Sequence, residues 1–130
     1  MCIRDSIVTA APGARPLDGT ELGLLGLADE MANADCVVAA DTGPLHIATS
    51  IGARVVALFG PKDPTLYGPR GEGHTVLWHD VPCRPCRRRD CATPQCILGI
   101  PVEAVALAVR ATVAAGDIPR PDAASPTSHR

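Results

Sequence analysis

The sequence predicts an α/β fold organised around a parallel sheet, and three observations lead there. Two short continuous apolar runs, 36–40 and 55–59, carry the β-branched content of strands buried on both faces. Segments with helical periodicity or helical punctuation alternate with those runs. Turn-forming residues, Asp41-Thr42-Gly43-Pro44 after the first run and Gly60-Pro61-Lys62-Asp63-Pro64 after the second, break each run sharply. Strands alternating with helices imply parallel pairing.

The elements follow in order. Ile7-Val8-Thr9 is a weak candidate for a first strand. Leu24, Leu27, Ala28 and Met31 recur at i, i+3, i+4 and i+7, one face of a helix from about Glu21 to Ala34, weakened by Gly23 and Gly26. Cys36 to Ala40 is the first clear strand, with Cys36 a small core hydrophobe. Leu45 to Ile51 reads as a short helix. Pro44 sits in its first turn, where a missing N–H is harmless, and Gly52 closes it. Arg54 to Phe59 is a second buried strand and Val76 to Trp78 a weaker third. Pro101 opens a last helix, with Val102, Val105, Val109 and Val113 on roughly one side and Gly116 at its end.

Composition narrows the function classes. The 130 residues suffice for one domain with a real core. Apolar residues are 46% and charged residues 20%, a balance that argues against disorder. No apolar run approaches the ~20 residues needed to span a bilayer. A net charge of -2, a pI near 6.0 and 2% aromatics leave neither an electrostatic footprint nor a stacking platform for nucleic acid. The N-terminus lacks a secretory signal, so a reducing cytoplasm is the expected compartment for the six cysteines.

Both ends stand apart. Residues 1–6, Met1-Cys2-Ile3-Arg4-Asp5-Ser6, show no strand or helix period and resemble a translated sequencing adapter. They are expected to be foreign to the fold, the natural start being upstream. Residues 116–130, rich in proline and small polar residues, are expected to be a disordered tail. That leaves 7–115 as the folded portion.

Ligands of such sheets bind beyond the carboxyl ends of the strands. Asp41 to His46 falls there. A helix N-terminus presents free N–H groups and partial positive charge to phosphate. Gly43 permits close approach, and Thr42 adds a hydroxyl. Asp41 suits sugar hydroxyls better than phosphate, and His46 lies within reach on the first turn. Together they suit a diphosphate joined to a sugar. The plain alternative is that Asp41 or Thr42 only caps the helix. Asp-Thr-Gly also occurs in aspartic proteases, but there in a loop between strands, whereas here Pro44 opens a helix.

The run Asp41-Thr42-Gly43-Pro44-Leu45-His46-Ile47-Ala48, followed by Val55-Val56-Ala57-Leu58-Phe59-Gly60-Pro61-Lys62-Asp63-Pro64, resembles family 9 glycosyltransferases, the ADP-heptose:lipopolysaccharide heptosyltransferases and their relatives. The resemblance runs from about residue 20 to 115 and includes the cysteine segment. Lys62 departs from it, since the family often has Thr there. The resemblance implies a GT-B enzyme, of which 7–115 would be a partial, Rossmann-like C-terminal domain. Asp41, Thr42, Gly43, Pro44 and His46 would bind the donor, ADP-heptose. The implied reaction is inverting transfer of heptose to an inner-core lipopolysaccharide sugar, with no metal required. No catalytic residue is expected in this chain, because the general base and acceptor site would lie upstream, so the chain alone should be inert. A cytoplasmic location follows, with peripheral association at the inner membrane face a further expectation.

Cys83, Cys86, Cys91 and Cys96 form C-x2-C-x4-C-x4-C. Four thiolates could hold structural zinc, with His74 and His79 as substitute ligands. The spacing matches no standard zinc or iron–sulfur pattern, so a disulfide or free thiols stay open. The neighbouring Arg84, Arg87, Arg88 and Arg89 could meet anionic acceptor groups. Two other functions therefore compete: a small cysteine-based metal or redox module, and a nucleotide-sugar binding domain without transferase activity. The segment, following the third strand, is expected to be peripheral to donor binding.

Overall fold

The computed structural model describes residues 3–117. Its elements are α1 (Ile3–Ala10), α2 (Gly19–Asn33), β1 (Val37–Ala40), α3 (Gly43–Ser50), β2 (Val55–Phe59), α4 (Pro64–Tyr67), β3 (Thr75–Trp78), α5 (Gln95–Leu98) and α6 (Val102–Ala114), closed by a 3-10 turn at Ala115–Asp117. The three strands form one parallel sheet in the order β1-β2-β3. This is the α/β, Rossmann-like architecture expected of the sequence.

Strand β2 is central, and all five of its residues are buried. Its side chains alternate between two cores, as the two-residue period of a strand requires. Val55, Ala57 and Phe59 join Leu27 and Met31 of α2, Val37 of β1, and Leu45 and Ala48 of α3. Val56 and Leu58 face the other way, joining Ile7 of α1, Ile100, and Val105 of α6. Helices thus cover both faces, which is why β2 reads as an unbroken apolar run.

The edges differ from the expectation of full burial. In β1 only Val37 is buried, while Val38 and Ala39 are half-buried and Ala40 is exposed. The physical reason is position: among the described residues β1 has a partner on one side only.

Three helical expectations need correction. Ile7-Val8-Thr9 belongs to α1, not to a strand, and that helix already includes residues 3–6 of the segment set apart from the fold. Packing decides this: Ile7 and Ala11, one helical turn apart, are both buried, and Arg110 of α6 donates to the Ala10 carbonyl at 3.3 Å. In α2, Leu24 is 67% exposed although it shares the helical period of Leu27 and Met31. Gly23, at φ 67°, breaks the helix just before Leu24, so Leu24 stands at the start of the second helical segment, exposed, while Leu27 and Met31 further along are buried. In α6, Val113 is exposed and Thr112 is buried, its hydroxyl donating to the Ala108 carbonyl. Thr112 is seven residues after Val105, two full turns, so it returns to the same face. Helices α4 and α5 were not anticipated. Residues 118–130 of the expected tail lie outside the described residues.

Candidate functional site

The carboxyl ends of β1 and β2 lie side by side, because Ala40 pairs with Leu58. Each strand is followed by a loop and a helix, so the segments after them, Asp41-Thr42 and Gly60–Asp63, become neighbours. The Asp41 N–H extends the ladder by donating to the Leu58 carbonyl at 3.1 Å.

The Asp41 side chain is buried, only 7% exposed. The Lys62 ammonium lies 3.0 Å from its Oδ2, and Lys62 itself is half exposed. Asp41 Oδ1 is buried and has no hydrogen-bond partner. An acceptor in that condition is costly unless something completes it.

Helix α3 starts immediately beyond. Thr42 stands at its N-cap in extended backbone, yet makes no side-chain cap. Its hydroxyl donates backwards, to the Ala40 carbonyl at 3.2 Å. The structure therefore does not support a capping role for the Thr42 hydroxyl. Pro44 occupies the first turn and brings no N–H, and Leu45 N–H closes on the Thr42 carbonyl. Nothing lies within 4 Å of where a Cβ at Gly43 would stand, and its φ is not in the left-handed region. The glycine there leaves open space without being demanded by the backbone. His46 is exposed on the same turn. Asp41, Thr42, Gly43, Pro44 and His46 thus come together at one sheet edge through chain continuity.

The cysteine segment returns to this edge. Cys86 N–H donates to the Pro61 carbonyl at 2.9 Å, and Arg84 donates through a terminal guanidinium nitrogen to the Lys62 carbonyl at 2.8 Å. A Cβ at Gly60 would stand 3.7 Å from Cys96 Sγ. The segment is therefore a neighbour of the loop that carries Lys62, closer to the site than its place after β3 suggested. Its sulfurs do not converge. Cys83 and Cys91 are exposed, Cys86 and Cys96 half-buried, and all four are free thiols. Among the described residues no three His, Cys, Asp or Glu side chains gather as metal ligands, so the expected structural zinc finds no support. The substitute ligands are also engaged elsewhere. His74 Nδ1 accepts from Val55 N–H at 3.3 Å, at the opposite end of β2. Burial pushes its pKa below the ordinary histidine value. The His79 ring is packed so closely on Gly99 that a Cβ there would stand 2.3 Å from it.

Sequence reasoning noticed Lys62 only as a departure and Arg84 only as one arginine of a run. The adjacency of two parallel strand ends was the signal that places the Lys62 loop beside Asp41. Two open concavities lie elsewhere, one of about 510 Å³ between Arg4, Arg15 and Glu21 and one of about 290 Å³ between Ala11 and Arg110.

Residues 19–97 match the family model for glycosyltransferase family 9 (heptosyltransferase). The chain is similar to lipopolysaccharide heptosyltransferase 1 of Pseudomonas aeruginosa, 39% identical over 70 residues, covering 54% of this chain and 20% of that protein. It is also similar to lipooligosaccharide heptosyltransferase 2 of Campylobacter jejuni serotype O:6, 35% identical over 66 residues, covering 50% of this chain and 21% of that protein. The matched part thus spans about a fifth of the length of these relatives. No solved structure matches the chain.

Proposed function

The chain belongs to glycosyltransferase family 9, and on that premise we propose that it forms part of the donor-binding half of a heptosyltransferase, the Asp41–His46 loop being its nucleotide-sugar site. The intact enzyme transfers heptose from ADP-heptose to an inner-core lipopolysaccharide sugar with inversion. Its relatives' names support the sugar and the acceptor class. Among the described residues no helix is long and apolar enough to cross a membrane. The enzyme acts in the cytoplasm, at the inner membrane face where its acceptor would be held.

One observation carries the site: a buried carboxylate with an unpartnered oxygen stands beside an uncapped helix start that has open space at Gly43. A hydroxyl of the donor sugar completes Asp41 Oδ1. The diphosphate takes the Gly43 N–H at the start of α3, since Pro44 has none and that of Leu45 is engaged, and negative charge grows there as the leaving group departs. The attacking acceptor hydroxyl needs a general base, which this reading places in the other half of the enzyme. The isolated chain is therefore inert in transfer.

The test is donor titration by calorimetry against the intact enzyme carrying Thr42→Val or Gly43→Val. A hydrogen bond to a charged group contributes about 1.5–3 kcal/mol, and the Thr42 hydroxyl gives up its Ala40 contact, worth about 1 kcal/mol, to make one, so Thr42→Val weakens donor binding roughly three- to thirty-fold. Gly43→Val is worse, since its side chain fills the open space. Unchanged affinity and turnover in both variants would leave the loop a plain helix start and remove this site.

A further inference from the structure

Asp41 is a buried anion, and Lys62 is its ion-pair partner. That matters at this location. Asp41 is two residues before Gly43, so its charge lies within about 7 Å of the start of α3, the reach of two extended residues. A bare carboxylate there would oppose any polyanion arriving at the helix N-terminus. Lys62 is held in place from three directions. Its ammonium is 3.0 Å from Asp41 Oδ2 and 5.3 Å from the centroid of the Tyr67 ring, and its carbonyl accepts from Arg84 at 2.8 Å. Yet the side chain is half exposed, so the fold does not need it as filler.

We propose that Lys62 is a positioning residue of the donor site, which fixes Asp41 through Oδ2 and cancels its charge so that a nucleoside diphosphate can settle at the start of α3. The proposal rests on the donor-site reading above and adds a residue to it. An ammonium holding one carboxylate oxygen leaves the other, Oδ1, for a neutral hydroxyl donor. The loop after β2 thereby tunes the loop after β1, a division of labour set by the side-by-side strand ends.

The experiment titrates ADP into the full chain and into Lys62→Met, Lys62→Arg, Asp41→Asn with Lys62→Met, and Gly43→Val, at low and high salt. Lys62→Met is expected to weaken ADP binding about tenfold or more at low salt and less at high salt, because the exposed cation is lost and screening softens the repulsion it leaves. Lys62→Arg keeps the charge and should hold affinity within about threefold of the parent, at most about half of the tenfold loss on the free-energy scale. The double variant should recover most of the loss, since it removes the uncompensated anion. A merely structural lysine would give no such charge-dependent rescue. If Gly43→Val abolishes ADP binding while Lys62→Met does not change it, the site stands and the role of Lys62 is overturned. If the parent does not bind ADP, or Gly43→Val leaves binding intact, the donor-site reading falls and takes this role with it.

Discussion

Replacing Asp41 by alanine separates a residue kept for a ligand from one kept for the fold. Two terms oppose each other. The ion pair with Lys62 is lost, but Lys62 is half exposed and its ammonium rehydrates, so the loss is about 1 kcal/mol or less. The buried, unpartnered Oδ1 is also removed, and such an atom costs about 1–3 kcal/mol in the unliganded fold. Helix α3 loses nothing at its cap, because Thr42 holds that position and uses its hydroxyl elsewhere. The sum is a stability change between zero and a gain of roughly 3 kcal/mol. Phe59→Ala provides the scale: Phe59 is fully buried under α2 and α3, and truncating such a ring costs about 3–5 kcal/mol. Urea denaturation followed by circular dichroism measures both. With a slope of about 1–3 kcal/mol per molar urea, the two variants move the midpoint in different directions. Asp41→Ala should meanwhile lose donor binding in the intact enzyme, the pattern of a residue that trades stability for function. A destabilisation above about 2 kcal/mol, in the range of a broken core contact, would show that Asp41 is structural and would refute the reasoning.

Two further outcomes are expected. Burial lowers the His74 pKa from its reference of 6.5, with a backbone contact from Arg70 partly opposing, and Nδ1 accepts from Val55 N–H, a contact only the neutral ring can make. The unfolded chain then binds more protons than the folded one below about pH 6.5, so this contribution to stability is present above that pH and is lost as pH falls. His74→Gln should flatten the difference in stability between about pH 7.5 and about pH 5, and an unchanged slope would assign it to other groups. For the thiols, burial pushes the Cys36 pKa up, partly offset by hydrogen bonds from Val56 and Thr112, whereas Cys83 and Cys91 are exposed. Iodoacetamide at neutral pH should label Cys83 and Cys91 first, and Cys36 only after denaturant is added. Equal rates would contradict its placement against the α6 core.

The amino-acid sequence by itself determined the strand–loop–helix–strand unit that frames the site. β1, α3 and β2 are legible because their signals are local: β-branched apolar runs, Pro44 at a helix start, and Gly52, at φ 77°, at its end. Asp41 to His46 could be placed beyond a strand end for the same reason, since chain continuity alone brings those residues together. Tertiary structure decided the rest. The period of Leu24 matches Leu27, but at the start of the segment that follows the Gly23 break it stays exposed while Leu27 is buried. Ile7 reads as a strand residue until the α6 surface is available to bury it as a helix. The partnership of Lys62 with Asp41, and the return of Cys86 and Arg84 to the β2 loop, join residues far apart in the chain. Their closeness follows from the order of strands in the sheet, which hydrophobic periodicity does not encode. Periodicity reports which face of an element is buried, and only packing reports what that face meets.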